Sequence, residues 1–113
     1  MTGIIVALPK IENAKSLKNL LVRNGFTVIA ACSSGAQALS LADGLNDGIV
    51  ISAYRLPDML YEELFDCLPK GFEMLLLASQ SLLLECGGND IMCLGMPLKV
   101  HDLLNTVEMM ATS

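Results

Sequence analysis

The chain has 113 residues, of which 53% are apolar, with a mean hydropathy of +0.55 and a net charge of −5 at pH 7. That length fits one domain with a core of its own, while no apolar run approaches the ~20 residues that a membrane span needs. The acidic balance and only 7 scattered Lys and Arg argue against a grip on a phosphate backbone by this domain itself and read as a solubilising surface charge.

Met1-Thr2-Gly3 leads into the first strand without a basic flank or cleavage site, so no signal peptide is expected. The first strand covers residues 3–8. A helix over 11–24 places Ala14, Leu17, Leu20 and Leu21 on one face, and Gly25 is its natural left-handed terminator. The second strand is expected at 26–31. Ser33 or Ser34 caps a helix that runs to about Leu45 through Ala38, Leu39, Leu41 and Ala42. The third strand is 48–52. Asp58 is expected to cap the helix that follows it, through Leu60, Leu64, Phe65 and Leu68, which Pro69 and Gly71 end. The fourth strand is 72–78. A short helix over 80–86 stops at Gly87-Gly88. The fifth strand is 90–95, and the last helix runs from Leu98 to about Ala111.

These strands are continuous apolar runs rather than alternating ones. Such strands are buried on both faces, as in a parallel sheet between helix layers. Five βα units of this size predict an α/β fold, a five-stranded doubly wound parallel sheet of flavodoxin-like type, in one domain spanning 1–113. Ligands of such sheets sit outside the carboxyl ends of the strands. The first strand leaves through Ala7-Leu8-Pro9-Lys10 with no glycine-rich phosphate loop. The second leaves through Ala31-Cys32-Ser33-Ser34-Gly35, small residues that suit a helix cap and turn or an anion cradle. The third leaves at Ala53, the fourth through Ala78-Ser79, and the fifth through Gly95-Met96-Pro97.

Cys32, Cys67, Cys86 and Cys93 form no CxxC pair, and the single His101 follows none of them at a zinc-like spacing. They read as reduced thiols of a cytoplasmic protein. No metal and no cofactor are expected.

The layout resembles the receiver domain of two-component response regulators (the CheY-like family) over the whole chain. The best matching segments are Tyr54-Arg55-Leu56-Pro57-Asp58-Met59, Ser34-Gly35-Ala36-Gln37-Ala38-Leu39 and the Pro97 after the fifth strand. The resemblance implies an acidic pair holding Mg²⁺ after the first strand and a phosphorylated Asp after the third. It also implies a Ser or Thr after the fourth strand and a Lys before the proline after the fifth. Leu8 and Pro9 stand at the acidic pair, Ala53 at the phospho-acceptor and Met96 at the Lys. Ala78 stands at the Ser/Thr position, or Ser79 if the register slips by one. Lys99 and Asp58 lie too far along the chain to stand in. The phosphorelay layout is therefore kept with a degenerate, apolar pocket, and no catalytic residue is expected.

A narrower resemblance is to the pseudo-receiver of ANTAR-type (AmiR/NasT) antiterminators. It is carried by Gly3 through Phe26 and by Met96-Pro97-Leu98-Lys99-Val100-His101-Asp102-Leu103. It implies that the chain is the N-terminal part of a longer one. A coiled coil and an RNA-hairpin-binding domain would follow, controlling transcription antitermination. The stripe Val100, Leu103, Leu104, Val107, Met110 marks where that coiled coil would begin.

The expected function is a non-catalytic module acting through protein contacts, as a weak homodimer and with a partner protein, without nucleic acid or membrane of its own. Leu82, Leu83 and Leu84 overfill the inward stripe of a short helix. With His101, Asn105 and Met109 they form the expected interface, the face of the fourth helix, fifth strand and last helix. The alternative is a small-ligand sensor whose pocket is lined by Leu8, Ala53, Ala78 and Met96.

Overall fold

Residues Ile4–Ala7 (β1) carry no polar side chain and no solvent contact on either face, which places this strand inside the sheet rather than at an edge. The computed structural model describes residues 3–79 and 91–112. After β1 come α1 (Ile11–Arg23), β2 (Val28–Cys32), α2 (Gly35–Ala42), β3 (Gly48–Ala53), α3 (Tyr61–Cys67) and β4 (Phe72–Ser79). Next among the described residues are β5 (Ile91–Met96) and α4 (Val100–Thr112). The helix expected over 80–86, with Leu82, Leu83, Leu84 and Cys86, lies outside the described residues.

All strand pairings are parallel, in the order β2-β1-β3-β4-β5. Ile4 pairs with Ile49 and Ala7 with Ser52, and Ala53 at the end of β3 pairs with Leu77 of β4. Successive side chains point to opposite faces, so the buried strands feed two cores. Ile5, Ala7, Val50, Met74, Leu76 and Ala78 pack with Ala38 and Ala42 of α2 and with Tyr61 and Leu64 of α3. Ile4, Val6, Ile49, Ile51, Leu75 and Leu77 pack with Ala14, Leu17 and Leu21 of α1 and with Leu103, Val107 and Met110 of α4. This is the (βα)5 arrangement of a doubly wound sheet, and β1 and β3 flank the point where the connections change direction.

Helix α1 closes as expected. Gly25 takes φ 90°, the Phe26 N–H donates to the Leu21 carbonyl at 3.1 Å and the Gly25 N–H to that of Val22 at 3.1 Å. These two bonds satisfy orphan carbonyls of the last turn. They hold Phe26 at the helix end; the Thr27 carbonyl already accepts the Ile4 N–H at 3.0 Å, and the paired residues of β2 run from Val28 rather than from 26. Helix α2 is capped by Ser34, whose Oγ accepts from the Gln37 N–H at 3.2 Å. It ends at Ala42, short of Leu45, because the chain turns through Gly44 at φ 86°.

The expected cap of α3 is not where the sequence reading put it. Leu60 occupies that position and no side chain caps the helix. Asp58 instead reaches back to α2. A small antiparallel bridge between Arg55 and Leu60 turns the chain there, with the Leu56 N–H donating to the Met59 carbonyl at 2.8 Å and the Tyr61 N–H to that of Tyr54 at 3.0 Å. The bridge carries Asp58 away from the α3 N-terminus.

Candidate functional site

A cleft of about 590 Å³ opens at the carboxyl end of the sheet, on the α1 side. Its floor and rim come from the strand exits: Leu8 and Pro9 after β1, Ala53 at the end of β3, Leu77 of β4, Met96 at the end of β5, and Leu98. Its other wall is α1, through Asn13, Ser16, Leu17 and Leu20. Four residues expected in the pocket, Leu8, Pro9, Ala53 and Met96, are thus brought together. Ala78 is not among the lining residues. It pairs with Gly95, is 3% exposed and points into the core under α2 and α3. Its neighbour Leu77, on the opposite face, lines the cleft in its place.

The chemistry of this lining is almost entirely apolar. Met96 is 44% exposed at the mouth. Asn13 and Ser16 supply the only polar side chains among the described lining residues, and both are neutral. Mg²⁺ takes oxygen ligands, usually one or two carboxylates. Leu8, Pro9 and Ala53 offer no side-chain oxygen, so the donor set does not fit that ion. Among the described residues, no group of three or more His, Cys, Asp or Glu could hold a metal. Lys99 does not enter the cleft lining. Its carbonyl accepts the Leu103 N–H at 3.0 Å, at the start of α4, and its side chain borders a separate pocket with Asp102. The buried Ser52 hydroxyl is used locally, donating to the Ala53 carbonyl at 2.9 Å.

On the opposite side of the sheet the β3–α3 loop is fastened to α2. The Gly35 N–H donates to Asp58 Oδ1 at 2.8 Å and the Ala36 N–H to Oδ2 at 2.9 Å. The two amide donors hold the Asp58 carboxyl below the usual carboxylate range. Met59 packs so closely on Gly35 that a Cβ there would strike its thioether. Burial pushes the nearby Cys32 thiol up, so it is protonated at neutral pH.

The remaining expected residues lie on α4. His101, Asn105 and Met109 are exposed, and the Asn105 amide nitrogen lies 3.1 Å from His101 Nε2, one turn away. Met109 is 58% exposed. Leu82, Leu83 and Leu84, the other half of the expected interface, lie outside the described residues.

What sequence reasoning missed is the α1 wall and the partner of Asp58. Asn13, Ser16, Leu17 and Leu20 follow helical spacing, but the expected inward stripe did not extend over the strand ends.

No family model and no curated protein matches the sequence. Solved structures do. The receiver domain of a sensor histidine kinase from Pseudomonas aeruginosa, solved with magnesium coordinated in its active-site cleft, superposes with a TM-score of 0.80. The two share 19% identity over 99% of this chain and 98% of that one. The chemotaxis response regulator CheY4 of Vibrio cholerae gives 0.75 at 19% identity, over 96% and 97% of the two chains. A response regulator receiver domain from Bacillus halodurans gives 0.75 at 18% identity, over 95% and 94%. The fold is that of the CheY-like receiver domain.

Proposed function

We propose that this chain is a pseudo-receiver: a non-catalytic signalling module of a two-component-type regulator that acts through protein contacts. One observation carries this reading. The crevice at the carboxyl end of the sheet, where the receiver resemblance places the metal-holding acidic pair and the phospho-acceptor, is here walled by Leu8, Pro9, Ala53 and Met96. In-line phosphoryl transfer relies on a metal and a cation to spread the developing charge, and these side chains supply neither. Incubation with acetyl phosphate and Mg²⁺, read by intact mass, tests it. The mass stays unchanged if the reading is right, and a stoichiometric gain of one phosphoryl group refutes it.

The contact surface proposed is the β5–α4 face. β5 is an edge strand, Met92 on it is 42% exposed, and Val100 and Met109 of α4 are 50% and 58% exposed. Exposed apolar side chains favour association where a partner covers them, and Met109 shares its side of α4 with His101 and Asn105, whereas Val100 lies on the other side. The occupant is a second copy, held weakly, or a partner protein. The finer assignment, to an ANTAR-type antiterminator, rests on the sequence resemblance at 3–26 and 96–103. Reading the gene beyond the codon for Ser113 tests it: a coiled coil followed by a small three-helix domain supports it, and a different output domain refutes it.

A further inference from the structure

We propose that the cleft between α1 and the strand ends binds one uncharged small molecule with an apolar body and a single hydrogen-bonding end. This deepens the pseudo-receiver reading, on which it rests, by giving the module an input other than phosphorylation.

Size is the first argument. About 590 Å³ falls within the range of small-molecule sites, roughly 300–1,000 Å³. The second is that the described side chains leave apolar surface in the cleft uncovered. Met96 at the mouth is 44% exposed, while Leu8 and Leu20 are only half-buried. Each would gain by losing its remaining contact with water. Ala53, the smallest side chain at its level, leaves depth at the floor.

Charge sets the class of ligand. No ionisable side chain is among the described lining residues, so an ion entering the cleft would lose hydration without gaining a partner. Polarity then sets the orientation. Asn13 and Ser16 are three residues apart on α1, and residues at that spacing are neighbours on one helix face. They offer donors and acceptors at one wall only, so the ligand's polar end sits against α1 and its apolar body against Leu77, Met96 and Leu98.

The test uses the neutral fluorophore N-phenyl-1-naphthylamine on the whole chain. Saturable binding of one probe per chain is expected, with displacement by decan-1-ol. Decanoate and decyltrimethylammonium should compete at least about tenfold more weakly, because their charges find no partner. Ala53→Asp and Met96→Lys should each weaken the probe at least about tenfold with circular dichroism and melting retained. Met109→Lys, outside the cleft lining, should leave binding unchanged. The ε-methyl resonance of Met96 should shift on titration, a readout that does not depend on the variants folding. Non-saturable binding, equal competition by the ions, or indifference to both cleft variants overturns the proposal. So does probe binding that falls as the chain self-associates, since a second copy would then cover the cleft. The phosphorylation result stands independently: a failed probe titration with no mass gain removes the ligand site alone, whereas a phosphoryl gain removes the pseudo-receiver reading itself.

Discussion

The Asp58 carboxylate accepts the Gly35 N–H at 2.8 Å across a separation of 23 residues, and so ties the loop after β3 to the first turn of α2. The Ala36 N–H adds a second bond, so two of the unpaired amides at the α2 N-terminus are satisfied from outside the helix. A carboxylate is also favoured there by the helix dipole. Ser34 covers a third amide, that of Gln37.

Asp58→Asn should lower the melting temperature at pH 7, because an amide oxygen replaces only part of a charged, two-oxygen acceptor. The pH dependence has a definite sign. The folded-state pKa of Asp58 is below its ordinary value, so its contribution is fully present above the ordinary carboxylate range and is lost as pH falls through the lowered folded-state value. Urea unfolding of wild type and variant at pH 7, 5 and 3 should show a gap that narrows toward pH 3. A gap independent of pH would mean the carboxylate charge is not what matters.

Gly35 and Met59 make a second, separable part of the same contact. Alanine is the better residue inside a helix, by about 1 kcal/mol over glycine. Yet Gly35→Ala should destabilise, because its Cβ would meet the Met59 thioether, and overpacking costs roughly 1–3 kcal/mol. In a Met59→Ala background the same change should become neutral or stabilising. The coupling energy of this double-mutant cycle is the measurement, and a value near zero would show that Met59 moves aside freely.

Mg²⁺ should not stabilise the fold. A ligand that binds only the native state adds RT ln(1 + [L]/Kd), and the cleft of Leu8, Pro9 and Ala53 offers that ion no carboxylate. Melting in millimolar Mg²⁺ and in EDTA should coincide. Ala53→Asp should not restore a metal response, since one carboxylate would stand among apolar neighbours. A clear rise with Mg²⁺ in the wild type would place an acidic residue in the cleft.

The fold was legible because the strands are unbroken apolar runs. Ile4–Ala7 and Met74–Ala78 admit few readings other than strands buried on both faces, and the structure places them at β1 and β4. The residues at the strand ends could also be located, since Leu8 follows β1 directly and Ala53 and Met96 close β3 and β5. Side-chain parity was harder. Ala78 and Leu77 are adjacent in sequence and point to opposite faces, and only the pairing of Ala53 with Leu77 decides which one meets the cleft. The partner of Asp58 was not legible at all. Its spacing suits a cap of the helix that follows, and the bridge from Arg55 to Leu60 that redirects it depends on backbone pairing.

Self-association should depend on Met109. This side chain is 58% exposed on α4, whose inward stripe of Leu103, Val107 and Met110 is already committed to the core. Its exposure therefore contributes little to folding, and Met109→Lys should leave the melting temperature within a few degrees, as is usual for surface changes of about ±0.5 kcal/mol. The same lysine would have to be desolvated in an interface, which is costly without a partner charge. Light scattering after gel filtration should show wild type shifting from monomer toward dimer as concentration rises, and the variant remaining monomeric. His101 and Asn105, paired at 3.1 Å and respectively two turns and one turn before Met109, lie on the same exposed face. His101→Ala should weaken the dimer less than Met109→Lys, because it removes contact area without burying a charge. Equal dimerisation of wild type and both variants would move the interface off α4.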